Sequence, residues 1–468
     1  MRVQRLVTIQ DESDSTSYLV WVWFRFPLSP ARFHDPQQAS AAPEQDEDHQ
    51  DNDALNRSAS ASRVAALQHT LRRGARGLKQ WPLLSWTCIA ASLIGCQSLL
   101  TSGLNHPRIT VMLPLGPGDE QLRQQFLRGF TIGEDSVKAC SVSLPAASWL
   151  GLPPDTSPAD VLPKEIDQQL LVAPPGADLR AFGRLAKARD LSVLLPFQRG
   201  GSLGRLASLE GSERLWPLVP SRREDLKAIA AASLSNGWDW AMVVRDPDSL
   251  ESSEAETFVE LFFDGGGAVK SYTRSDIQSV DPEDDAAFQR FSEDMLWSRV
   301  PTMVVAADPN GDLARKLRDA QSKAEFGIER PSVPNWIWIS GSTVLGEMSQ
   351  QPWQQLGLRH AARGDGWSSF AKAFESRWGD QPTLLEASGY DTARVLALAG
   401  TAPPPLSKEG TPDAMGWVDP DAKPVPLCKG FQMRQQGKSL RIPAAASDFR
   451  LQPGQAPSGS AMAGLIRG

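Results

Sequence analysis

Residues able to do covalent or metal chemistry are scarce in this chain. There are five histidines and four cysteines in 468 residues, and past residue 96 only His106, His360, Cys140 and Cys428 remain. No C-x-x-C or H-E-x-x-H spacing is present, which removes the usual zinc arrangements. Gly265-Gly266-Gly267 invites a phosphate loop, but it follows the helical pattern of residues 253–264 and precedes Ala268-Val269-Lys270. A helix end turning into a strand explains it more simply. The expectation is a protein that binds without a chemical step, with no cofactor and no metal.

The one cysteine with reactive surroundings is Cys96. It follows Leu93-Ile94-Gly95, the end of an apolar run over 81–95, which itself follows Arg72, Arg73, Arg76 and Lys79. A basic stretch, an apolar stretch and small residues before a cut make a secretory signal. Cysteine directly after Leu-x-Gly resembles the lipobox of bacterial lipoproteins. That resemblance implies acylation of the Cys96 thiol, removal of 64–95 as a signal peptide, and a periplasmic or other extracytoplasmic protein lipid-anchored to the membrane. The alternatives are a single membrane span, since 81–100 is just long enough to cross about 30 Å of hydrocarbon, and a buried helix. The signal starts unusually late. Residues 1–63 hold an aromatic patch at 18–26 and an acidic stretch at 35–53 with no helix or strand period, so they read as disordered or as a start placed too far upstream.

The 48 basic and 55 acidic residues leave a formal net charge of −7, and no basic run lies outside the signal, which argues against a nucleic-acid partner. In an oxidising compartment the leftover pair, Cys140 and Cys428, invites a disulfide; two separate buried thiols are the alternative.

From residue 108 short apolar strands alternate with amphipathic helices, the signature of an α/β protein with parallel sheets. Strands are expected at 109–113, 169–172, 192–195, 240–244, 268–272, 302–306 and 336–339. Helices are expected at 121–132, 178–189, 223–235, 253–263, 313–323, 366–378 and 388–399. Residues 145–163 read as a loop, and 450–468, rich in Gly, Pro, Ser and Ala, as a disordered tail. Ligands of such sheets bind in crevices at the carboxyl ends of the strands, so the turns there become the candidate site.

The order of these segments resembles the type I periplasmic-binding-protein family, in particular the extracellular ligand-binding proteins of branched-chain amino acid ABC transporters. Ile109-Thr110-Val111-Met112-Leu113-Pro114-Leu115 with Phe126-Leu127-Arg128-Gly129-Phe130 resembles the family's opening. Asn236-Gly237-Trp238 before Met242-Val243-Val244, Val304-Val305-Ala306-Ala307-Asp308 with Leu317-Arg318-Asp319-Ala320, and Gly389-Tyr390-Asp391-Thr392-Ala393 resemble its later units. The resemblance implies two Rossmann-like lobes joined by three hinge crossings, with lobe one at 105–219 plus 338–400 and lobe two at 220–337 plus 415–445. It also implies hinge closure on a small-molecule ligand and delivery to an ABC permease in the membrane.

Carried over by position, the ligand-binding candidates are Gly176 and Ala177 in the first lobe-one turn and Gln198 and Arg199 in the second. In lobe two they are Asp246, Ser249 and Asp312. The small hydroxyl residues that relatives place in the lobe-one turns are missing. Arg199 is the expected replacement, because a guanidinium can take a carboxylate with two parallel hydrogen bonds. Asp312 is expected either to meet a ligand ammonium or to cap the helix after it. The implied function is an extracytoplasmic solute-binding lipoprotein taking a small polar, amino-acid-like or anionic ligand. The competing expectation is a degenerate member kept as a scaffold or regulator of envelope processes.

Overall fold

The structure is a computed structural model. It describes residues 2–10, 17–25, 108–163, 169–248, 254–270, 276–323, 325–326, 334–340, 352–406 and 412–466. The chain divides into two compact units, Met1–Trp81 and Pro82–Gly468. In the first, β1 (Arg2–Gln10) and β2 (Ser17–Arg25) pair antiparallel, from Arg2 opposite Arg25 to Gln10 opposite Ser17. The expectation for 1–63 included no such hairpin. Cys96 and the signal segment lie outside the described residues.

The second unit has two sheets. The first is five parallel strands in the order β4, β3, β5, β6, β7: β3 (Ile109–Pro114), β4 (Ala147–Leu152), β5 (Leu170–Val172), β6 (Ser192–Leu195) and β7 (Leu215–Pro217). Its helices are α1 (Asp119–Lys138), α2 (Pro158–Val161) and α3 (Leu179–Arg189). Strands β5 and β6 are wholly buried, as continuous apolar runs in a covered parallel sheet must be. Strand β4 falls inside the expected loop 145–163. As the sheet's edge it is half-exposed, so its Ser148 and Gly151 conceal the strand pattern.

The second sheet contains β8 (Trp240–Arg245), β9 (Ala268–Val269), β10 (Ile277–Ser279), β11 (Thr302–Ala306), β12 (Asn335–Trp338), β13 (Gln355–Arg363) and β14 (Ser460–Ile466). Its main path runs β10, β8, β11, β12, β13, β14, and only β14 is antiparallel to its neighbour. Around it lie α4 (Arg222–Ser235), α5 (Ala255–Asp264), α6 (Asp285–Ser298) and α7 (Asp312–Ser322). The glycine triplet ends α5 as expected. Gly266 has φ +95°, and the Gly267 N–H returns to Phe262 O at 2.8 Å before β9 begins.

The chain then returns to the first lobe through α8 (Trp367–Trp378), α9 (Leu384–Gly400) and α10 (Leu427–Gln435). Met415, Trp417, Phe431, Leu440 and Ile442 share one core with Ile109, Val137 and Leu398. This corrects the expected division of the lobes. Residues 415–445 belong to lobe one, and Trp338 and residues 355–363 belong to lobe two, because β12 and β13 are strands of the second sheet. The tail is corrected as well. Its Ala461, Ala463 and Leu465 pack on the lobe-two core while β14 pairs with β13, so alternation within a small-residue stretch makes a strand. Among the described residues the chain crosses between lobes three times: between β7 and α4, between β13 and α8, and between Gly454, whose N–H is bonded to Leu215 O, and β14.

Candidate functional site at the lobe crossings

Turns at the carboxyl ends of β5 and β6 form the lobe-one side. In the first, Gly176 takes φ +77°, a backbone state that favours glycine. Its N–H donates to Phe197 O at 3.1 Å, and the Ala177 N–H donates to Pro174 O at 3.3 Å. Asp178 caps α3 by accepting the Arg180 N–H at 3.0 Å. Both backbone donors are therefore spent inside the fold, the first stitching this turn to the next and the second closing the turn on itself.

The second turn carries Gln198 and Arg199. Arg199 Nε donates to Pro220 O at 3.0 Å and its Nη2 to Asp225 Oδ2 at 2.9 Å. Burial draws the Arg199 guanidinium below its ordinary range, while the nearby Asp225 charge opposes that shift. Arg199 is an internal ion-pair partner here, which corrects its expected role as a free carboxylate clamp. Gln198 is different. Its side chain is buried, and its Nε2 has no hydrogen-bond partner.

Asp225 sits in the first turn of α4 and is fully buried. Oδ2 also accepts Arg222 Nη1 at 2.5 Å, and Oδ1 accepts the Ala362 N–H at 2.7 Å. One carboxylate thus holds a lobe-one turn, the first crossing and the strand that leads into the second. Arg222 extends the network. Its N–H donates to Arg199 O at 2.9 Å, its Nη2 to Ile339 O at 2.6 Å, and its Nε to both Glu254 oxygens at 3.0 and 3.1 Å. Two guanidiniums and two carboxylates leave no net charge at the pivot. Ser340 follows Ile339 directly, is buried, and its Oγ has no partner.

The expected lobe-two residues are not drawn into this network. Asp246 Oδ1 accepts the Asp248 N–H at 3.0 Å, and its own N–H reaches Ala306 O at 3.2 Å, so it shapes the turn after β8. Ser249 lies outside the described residues. Asp312 is exposed and paired with Arg315 one turn along α7, while Gly311 holds the N-cap position. Trp216 and Trp338, which flank the expected crossings, are both core residues, and Trp338 Nε1 donates to Gln355 Oε1 at 2.8 Å.

Asp225, Arg222, Glu254 and Ser340 escaped the sequence reading. Ser221-Arg222-Arg223-Glu224-Asp225 reads as an ordinary helix start with acids in the first turn, and nothing in that spacing marks Asp225 as buried. Elsewhere, Cys140 at the end of α1 and Cys428 in α10 form a disulfide, with their Cα atoms 5.1 Å apart. A cavity of about 260 Å³ lies under β4, lined by Phe130, Trp149 and Leu396 among others, and shares no residue with the crossing network. Among the described residues no group of three or more metal-ligating side chains occurs, and no helix is long and apolar enough to cross a membrane.

No family model matches the chain, and no curated protein matches it in sequence. Solved structures do match. A Rhodospirillum rubrum protein assigned to branched-chain amino acid ABC transport is 15% identical, with the alignment covering 77% of this chain and 98% of that one at a TM-score of 0.50. An ABC transporter substrate-binding protein from Desulfitobacterium hafniense in complex with Leu is 15% identical over 76% and 96% of the two chains, TM-score 0.46. A solute-binding protein from R. palustris in complex with benzoate is 14% identical over 63% and 80%, TM-score 0.42. These neighbours are solute-binding components of transporters rather than enzymes. With two parallel-sheet lobes and three crossings between them, the chain has the type I periplasmic-binding-protein fold.

Proposed function

We propose that this protein is an extracytoplasmic solute-binding lipoprotein of an ABC importer. It would be tethered through Cys96, take a small polar solute between its lobes, and present it to a membrane permease. The supporting observation is the position of the network of Arg199, Arg222 and Asp225: it brings the turn after β6 and the turn after β12, both at carboxyl strand ends, to one pivot between the lobes. The disulfide between Cys140 and Cys428 favours an oxidising compartment. A thermal-unfolding screen against amino acids, small carboxylates, sugars and nucleosides tests the reading. A solute at 100 times its dissociation constant adds about 2.7 kcal/mol of stability.

The second reading is a scaffold or regulator of envelope processes that keeps the fold without transport. It is favoured by one feature: the Gly176 and Ala177 N–H groups and the Arg199 guanidinium are all bonded within the chain. A screen without any stabilising solute selects this reading.

A further inference from the structure

Two buried polar groups at the lobe crossings lack partners, and both lie one residue from an anchor of Arg222. The Arg222 N–H holds Arg199 O, next to Gln198, and Arg222 Nη2 holds Ile339 O, next to Ser340. Gln198 Nε2 and Ser340 Oγ are the unpaired atoms, one from each lobe. An unpaired buried amide or hydroxyl costs about 1–3 kcal/mol, and a bound solute that satisfies both groups removes that cost.

The charges beside them are already balanced. Arg199 and Arg222 are matched by Asp225 and Glu254 at 2.5 to 3.1 Å. An anion entering here would have to compete with Asp225 for Arg199, and an ammonium would have to compete with the two guanidiniums for the same carboxylates. Breaking a buried pair leaves an uncompensated charge, which is strongly unfavourable. Gln198 Nε2 can only donate, and Ser340 Oγ can donate or accept.

Resting on the solute-binding reading above, the geometry points to an uncharged solute with carbonyl or hydroxyl oxygens, held by Gln198 from lobe one and Ser340 from lobe two. This narrows the small polar solute of the proposed function to a neutral one and departs from the amino-acid-like or anionic ligand that the resemblance implies.

The test uses the full-length chain in thermal unfolding and titration calorimetry. Neutral probes are glucose, glycerol, uridine and acetamide; charged probes are leucine and benzoate. The expected result is that a neutral probe raises Tm and the charged ones do not, with affinity for that probe falling about tenfold in both Gln198→Leu and Ser340→Ala. The solute-free Gln198→Leu protein should melt higher than wild type, because the variant removes an unsatisfied buried amide.

Stabilisation by leucine or benzoate alone overturns the inference and leaves the solute-binding reading standing. No response to any probe overturns both. A lower Tm for solute-free Gln198→Leu also overturns the inference, since it means the amide is already bonded in the empty protein; Ser340→Ala then reports whether the lobe-two hydroxyl behaves the same way.

Discussion

Arg199 and Asp225 come from opposite sides of the first lobe crossing, and their side chains meet at 2.9 Å with the carboxylate fully buried. Asp225 also takes the Ala362 N–H and Arg222 Nη1. The pair therefore fixes where the lobes pivot.

Asp225→Ala should lower stability by about 3–5 kcal/mol, because it leaves the Arg199 guanidinium buried without its counter-ion. Urea unfolding measures this. A loss below 1 kcal/mol would mean that the network is solvated and holds nothing.

Reduction of the disulfide between Cys140 and Cys428 should cost about 2–5 kcal/mol. The bond joins positions 288 residues apart, so it constrains a long stretch of the unfolded chain. Unfolding with and without dithiothreitol, with Cys140→Ser plus Cys428→Ser as the comparison, reports the difference.

Gly129 and Gly389 let α1 and α9 cross closely. A Cβ added at Gly129 would stand 1.8 Å from Glu386 O, and one at Gly389 would stand 2.1 Å from Phe126 O. Backbone atoms on rigid helices cannot yield as a flexible side chain would. Either glycine changed to alanine should cost about 3 kcal/mol or more, read from the denaturation midpoint.

Asp391 gives stability a pH dependence. Burial pushes its carboxyl from 3.8 up to about 6, against the opposing pull of Arg394 and the Ala445 and Ala446 N–H groups. The folded state thus holds the proton more tightly than the unfolded chain. Its contribution is complete below about pH 4 and is lost as pH rises through about 6, amounting to at most about 3 kcal/mol. Urea stability measured from pH 4 to 7 should show this falling component, and Asp391→Asn should lack it.

Sequence patterns revealed the buried parallel strands because runs such as Leu194-Leu195 and Val304-Val305 are apolar on both faces. They missed strands whose pattern is interrupted. Strand β13 carries Arg359, His360 and Arg363, and most of β14 is small residues, Ser460, Ala461, Ala463 and Gly464. Helix α6 was missed because polar residues separate Phe288, Phe291 and Met295. The misplacement of 415–445 had a readable remedy. A bond from Cys428 to Cys140 ties that segment to α1 and hence to lobe one. At the site, the turns were legible and the partners were not. Arg199 looked available because its counter-ion is 26 residues away in a helix whose first turn resembles any other.

Small-angle X-ray scattering of the full-length chain, with and without a solute that raises its Tm, tests most directly that the solute lies between the lobes. A solute engaged by both lobes draws them together, so the radius of gyration should be smaller when it is bound. A solute that binds and stabilises without changing the radius of gyration would place the site within one lobe and overturn binding between the lobes.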